Sequence, residues 1–130
     1  MSNETNIKKL ENGRAEFAYK CVVEAKTYSD YKSYVKKVPV LIQTNGLGNT
    51  LAYMVSKGKA YDLIYQHLTS WLSKEECGCK ALPDHTDLLE FVVSQHSIVY
   101  RQITTECLAL LNWLRRLAEG MIEGDDDEQR

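Results

Sequence analysis

Apolar positions recur every three to four residues along most of the chain, and the pattern runs longest between Ser97 and Ile122. At 100° per residue, Val99, Ile103, Cys107, Leu110, Leu114, Leu117 and Met121 fall on one face of that stretch. Arg101, Thr105, Asn112, Arg115, Arg116 and Glu119 gather on the other. No proline interrupts it, and its only glycine, Gly120, sits near the end. The spacing predicts a long amphipathic helix. A helix that buries one such stripe needs several others to cover it, which makes this one the hub.

The same period organises the rest. From about Thr5 to Thr27, Leu10, Phe17, Ala18, Cys21, Val22 and Ala25 predict a first helix, with Lys8, Lys9, Arg14, Lys20 and Lys26 on its outer side. Gly13 inside it is disfavoured by about 1 kcal/mol relative to alanine, which points to a close helix crossing. Ser29 or Asp30 can cap a second helix. Its stripe is Tyr31, Val35, Val38 and Ile42, with Lys32, Lys36 and Lys37 outside. Pro39 is expected to kink or split that helix. Asn45-Gly46 stops it, with Gly46 suited to a left-handed C′ position.

Gly48-Asn49-Thr50 restarts a short helix through Leu51, Ala52, Met54 and Val55 to Lys57-Gly58. Tyr61, Ile64, Tyr65, Leu68, Trp71 and Leu72 mark a fourth, and a connector with Cys77-Gly78-Cys79 and Pro83 follows. A short fifth helix runs from about Thr86 through Val93. No alternating strand, internal repeat or second domain is visible. The expected fold is all-α: a compact single-domain bundle of about six helices over residues 1–123, then an acidic, solvated tail at 124–130.

Composition narrows the class. The 130 residues are 44% hydrophobic and 26% charged, which reads as a soluble domain with a real core. No apolar run approaches membrane-spanning length, and MSNETNIKK lacks a signal-peptide core, so the expected compartment is the cytoplasm. Cys21, Cys77, Cys79 and Cys107 are expected to be reduced there. Net charge is −2, but residues 1–59 carry +5 and residues 60–130 carry −7. Free-standing nucleic-acid binders are usually basic overall, so only a local basic face is compatible with such binding.

Catalytic chemistry finds little support. Cys77-x-Cys79 with His67 and His85 nearby is shorter than zinc-site spacing, and no second pair follows. Cys21 and Cys107 lie on apolar faces, where a small buried thiol is the expected role. The three histidines share no motif. Asn45-Gly46-Leu47-Gly48-Asn49 lacks the glycine and lysine placement of a phosphate loop and reads as a tight helix–helix turn. No enzyme, metal or cofactor is expected.

Two basic features remain. On the hub helix, Arg101, Arg115 and Arg116 share their face with a single acid, Glu119. Either Arg115 pairs with Glu119 at i,i+4 on a solvated face, or the guanidinium groups serve phosphate or an acidic partner. Between residues 26 and 37, lysine alternates with tyrosine: Lys26, Tyr28, Tyr31, Lys32, Tyr34, Lys36, Lys37. That composition suits backbone neutralisation with base stacking on RNA. Tyr31 also belongs to the apolar stripe, so part of this aromatic content is core.

Three blocks go beyond periodicity. They are Gly13-Arg-Ala-Glu-Phe-Ala-Tyr19; Tyr31-Lys-Ser-Tyr-Val-Lys-Lys-Val-Pro-Val-Leu-Ile-Gln-Thr-Asn-Gly-Leu-Gly48 running into Leu51-Ala-Tyr53; and Tyr100-Arg101 continuing through Glu106 to Leu111-Asn-Trp-Leu-Arg-Arg-Leu-Ala-Glu119. In this order they resemble the small-subunit family of the type III-B CRISPR-associated Cmr complex, from about residue 8 to 123.

The resemblance implies a non-catalytic helical subunit of a guide-RNA-directed effector complex in antiviral defence. Such subunits stack along the inner filament of the ribonucleoprotein, beside copies of themselves and the backbone and large subunits. They help hold the guide–target RNA duplex. Carried over by position, Lys36, Lys37, Arg101, Arg115 and Arg116 are the expected RNA contacts. Asn45 and Gly46 shape the turn, while Pro39, Leu47 and Trp113 are structural or interface positions. A helical protein–protein adaptor that does not touch RNA is the alternative.

Overall fold

The computed structural model describes residues 3–123, with side chains from Asn6 onward. The acidic segment 124–130 lies outside the described residues. Six helices follow one another: α1 (Asn3–Ala25), α2 (Ser29–Asn45), α3 (Leu47–Lys57), α4 (Ala60–Leu72), α5 (Leu88–Val93) and α6 (Ser97–Met121). Among the described residues there is no strand. The all-α expectation holds, and α6 is the hub. It lies mainly against α1 and α2; α2 packs on α3 and α4, and α5 closes over α3.

Ile103, Cys107, Leu110 and Leu114 are buried as the wheel predicts. Leu111 and Ala118 join them, whereas Val99, Leu117 and Met121 are only half-buried. Covered from two sides by α1 and α2, the stripe is wider than one row of residues. The core continues through Tyr31, Val35, Val38 and Ile42 of α2 and Ile64, Leu68, Trp71 and Leu72 of α4.

Three local expectations change. α2 runs unbroken through Pro39. Proline removes one helical hydrogen bond, and burial of Val38 and Ile42 on either side holds the helix together. Neither Ser29 nor Asp30 caps it. Tyr28, in an extended conformation, is the N-cap residue without a side-chain cap bond, and Asp30 instead sits in the first turn, where a carboxylate suits the helix dipole. Lys32, expected outside, is 5% exposed.

Gly46 serves two helices at once. Its N–H closes α2 on the Ile42 carbonyl at 2.8 Å, and its carbonyl accepts from Thr50 N at 3.1 Å and Thr50 Oγ1 at 2.8 Å to open α3. With φ +88° and ψ 160° it is not left-handed helical but in the region open essentially to glycine. The next glycine, Gly48, lets the turn dock: its N–H donates to the Tyr100 hydroxyl at 2.8 Å. A Cβ there would lie 3.3 Å from Val93 and 3.4 Å from Tyr100.

After α4, Leu82 N donates to Leu72 O at 2.8 Å, which pins the irregular connector back on the helix end. Asp87 then caps α5, accepting from Glu90 N at 3.3 Å and from the Tyr65 hydroxyl at 2.9 Å.

Candidate nucleic-acid interface

The exposed side of α6 carries Arg101, Gln102, Thr105, Asn112, Arg116 and Glu119. Arg101 and Arg116 are fifteen residues apart, about 22 Å along the axis, and within 60° of each other around it. They mark the two ends of one solvated ridge. Neither forms an ion pair with another described residue. Arg115 lies off the ridge and half-buried. Its Nη2 donates to Asn112 Oδ1 at 2.9 Å, so of the two alternatives the i,i+4 pair with Glu119 does not form, and Arg115 bonds one turn back instead.

Lys36 and Lys37 are both exposed on α2. Being adjacent, they diverge by about 100°. Lys37 Nζ lies 5.6 Å from the Tyr34 ring centroid, a cation–π contact. Of the five basic positions, Arg101 and Arg116 mark the α6 ridge, Arg115 lies off it, and Lys36 and Lys37 stand on a different helix, α2. Of the alternating tyrosines, Tyr31 is fully buried, Tyr34 half-buried and Tyr28 exposed.

Beneath the Arg101 end lies the most organised polar cluster of the protein. Glu106 is 2% exposed. It accepts from Arg14 Nε at 2.8 Å and Arg14 Nη2 at 2.7 Å, a two-pronged ion pair, and from Trp71 Nε1 at 2.7 Å. The Gly78 backbone amide adds another bond. Burial alone would raise the Glu106 carboxyl, but Arg14, Trp71 and Gly78 outweigh it and hold it below the usual carboxylate range. The cluster joins α1, α4, α6 and the connector. A Cβ on Gly78 would collide with Glu106 and with Leu10, so the connector can approach only because that residue is glycine.

Arg14, expected on the outer side of α1, thus turns inward. Both partners were visible in the sequence as single charges set inside apolar arcs: Arg14 between Leu10, Phe17, Ala18 and Cys21, and Glu106 between Ile103, Leu110 and Trp113. Buried charges are nearly always paired. That was the signal the wheel offered. Arg101 stands at the rim of a cavity of about 460 Å³ that Arg14, Gly78, Gln102 and Thr105 also line, with Glu106 at its floor.

A second buried network sits between α1, α2 and α4. The Tyr31 hydroxyl and His67 Nδ1 are 2.8 Å apart, and His67 Nε2 and Glu24 Oε1 are 2.9 Å apart. An ionised Glu24 only accepts, so Nε2 carries the proton and Nδ1 accepts from Tyr31. Neutral His67 satisfies every partner. Burial lowers its pKa against the opposing pull of Glu24.

Both ring nitrogens of His67 are therefore engaged away from Cys77 and Cys79, and His85 is exposed. Among the described residues no three His, Cys, Asp or Glu side chains are grouped to hold a metal. Cys21 and Cys107 are buried as expected, and burial pushes the Cys21 thiol up to about 12. Cys77 is held below the usual thiol range, first by its hydrogen bond with Cys79. No described helix is long and apolar enough to cross a membrane.

Comparisons with known proteins agree on one relationship. The sequence model of the family described as "CRISPR-associated protein (Cas_Cmr5)" matches residues 10–121. The CRISPR system Cmr subunit Cmr5 of Thermus thermophilus is 30% identical over 113 residues, covering 84% of this chain and 92% of the relative. A crystal structure of a Cmr5 family protein from the same organism superposes with a TM-score of 0.72 at 28% identity, over 87% of this chain and 97% of that one.

Proposed function

Because the chain belongs to the Cmr5 family of CRISPR-associated proteins, we propose that it is a non-catalytic small subunit of a type III-B Cmr effector complex. In this role it works in the cytoplasm, packs against other Cmr subunits and copies of itself, and contacts the guide–target RNA duplex during antiviral defence. The observation that carries the RNA contact is the α6 ridge. Arg101 and Arg116 extend to solvent with no acidic partner among the described residues, with Thr105 and Asn112 as hydrogen-bonding groups between them. Lys36 and Lys37 supply a second basic point, and Arg115, tied to Asn112, braces the ridge.

Such a surface suits phosphate contact without base readout, because sequence is specified by guide pairing. A near-neutral overall charge agrees with this, since binding is shared along an assembly rather than concentrated in one subunit. The test is affinity purification from the native host with sequencing of co-purifying RNA. Repeat-derived guide RNAs recovered with a multi-subunit assembly support the reading. Protein partners without guide RNA would favour the adaptor. Charge reversal of Arg101 and Arg116 together is expected to lower RNA retention in the assembly and to flatten its salt dependence.

A further inference from the structure

Where α2, α3 and α4 meet, three tyrosines form a fixed array. Tyr34 stacks on Tyr61 with ring centroids 4.3 Å apart and planes at 29°. Tyr53 meets the same Tyr61 ring edge-on, at 5.6 Å and 69°. Tyr61 is 2% exposed and forms the floor. Its hydroxyl is pushed up to about 12, first by burial and then by Tyr53 and Tyr34. Tyr53, by contrast, is 41% exposed. An aromatic ring anchored along one edge with much of its surface in water is a rigid contact with little rotamer entropy left to lose.

Lysines surround it. Lys37 lies over Tyr34, as described above. Lys57 follows Tyr53 by one helical turn on the same side of α3, and Lys59 sits in the turn into α4. All three are exposed. Two acids share the surface: Asp30 one turn before Tyr34, and Asp62, whose carboxylate reaches back beside Gly58, the residue between Lys57 and Lys59, leaving three lysines against two carboxylates. Lys59 itself holds φ +59° and ψ −140°, a conformation that a side-chain-bearing residue rarely adopts, directly after Gly58 at φ +70°. Glycine would relieve this strain, yet a lysine occupies the position.

An exposed tyrosine alone is ordinary surface. A fixed ring, three lysines on three separate segments and a strained lysine are together the elements of a nucleotide site: a π-face for a base and cations for its phosphates. We infer that this surface binds an unpaired nucleotide of single-stranded RNA, its base stacked on Tyr53 and its backbone held by Lys37, Lys57 and Lys59. The inference rests on the RNA-binding reading above and adds a site distinct from the α6 ridge.

The test is fluorescence anisotropy of the full chain with a ten-nucleotide oligouridylate and with an abasic strand of the same length. Wild type is expected to bind the base-bearing strand about fivefold or more tighter. Tyr53→Ala abolishes that preference and Tyr53→Phe keeps it. Lys59→Gly weakens binding to both strands while raising the melting temperature. Equal affinity of wild type for the two strands, or a preference that survives Tyr53→Ala in a folded protein, overturns the inference. If Arg101→Ala weakens binding to both strands while Tyr53→Ala does nothing, the tyrosine site falls and the α6 ridge stands. If neither the free chain nor the assembled complex binds RNA, both readings fall.

Discussion

One turn of α6 separates two arginine environments of opposite kind. At its inner side Glu106 is enclosed, and every donor around it is accounted for by Arg14, Trp71 and Gly78. On its outer side Arg101 projects into water, and Arg116 repeats that posture at the other end of the helix. Identical functional groups thus do unrelated work. The inward-turned guanidinium of Arg14, bound to buried Glu106, specifies how three helices and a connector meet, whereas the exposed ones leave the fold indifferent to them. The difference predicts which substitutions unfold the protein and which only change what it binds.

The largest effect is expected at the buried pair. Glu106→Gln keeps an acceptor for Trp71 but removes the buried carboxylate that holds Arg14 inward, leaving it only the exposed Glu11, 3.0 Å from Nη1, as an ionic partner; it should destabilise by about 3 kcal/mol in denaturant titration. Arg14→Met, which also removes the charge, should be milder on the Glu106→Gln background than alone. Additive losses would show that the two side chains are not coupled.

Much of this was legible, but unevenly. All six helices follow from hydrophobic period and turn residues, because packing on α6 demands an apolar stripe from each neighbour. The blocks that carry the family resemblance meet each other in space: Arg14 of the first reaches Glu106 of the third, and Gly48 of the second reaches Tyr100 of the third. Their signal is therefore largely about folding. What the wheel hid was pairing across helices, since a lone charge in an apolar arc does not name its partner. The burial of Lys32 has a related cause: a wheel reports angle, not whether a neighbouring segment covers that flank. The basic residues proposed for RNA carry no such constraint, and that Arg115 lies off the ridge followed only from the three-dimensional arrangement.

A smaller effect belongs to the turn that docks on Tyr100. Gly46→Ala forces a side chain into a glycine-only conformation and is expected to cost about 1–3 kcal/mol. Tyr100→Phe deprives the buried-side Gly48 N–H of its acceptor at about 1 kcal/mol. If the order were reversed, the docking bond rather than the backbone conformation would define the turn.

Acidification probes both buried networks. His67 has its pKa lowered in the fold, so as pH drops below about 6.5 the unfolded chain takes up a proton that the folded protein resists, and stability falls. Glu106, held below its usual range, contributes stability that is present above its unfolded pKa and is lost as pH falls through the folded value. Melting temperature against pH should therefore decline in two stages. His67→Gln should remove the upper stage and leave the lower one. A single acid transition unchanged in that variant would mean that His67 is protonated as readily in the fold as outside it.

The smallest effect on stability is expected on the ridge, where it is most informative. Arg116→Ala removes an exposed side chain with no described ionic partner, so stability should change by less than about 0.5 kcal/mol. If the arginine lies against an RNA phosphate in the assembled complex, the slope of log affinity against log salt should fall by about 0.7–0.9. The loss should also be the same for every guide sequence, because a phosphate contact carries no base information. A loss that varied with guide sequence would place a base edge, not a phosphate, against Arg116. A slope that did not change would leave the ridge to a protein neighbour, and the contrast within α6 would then be between a folding contact and an assembly contact.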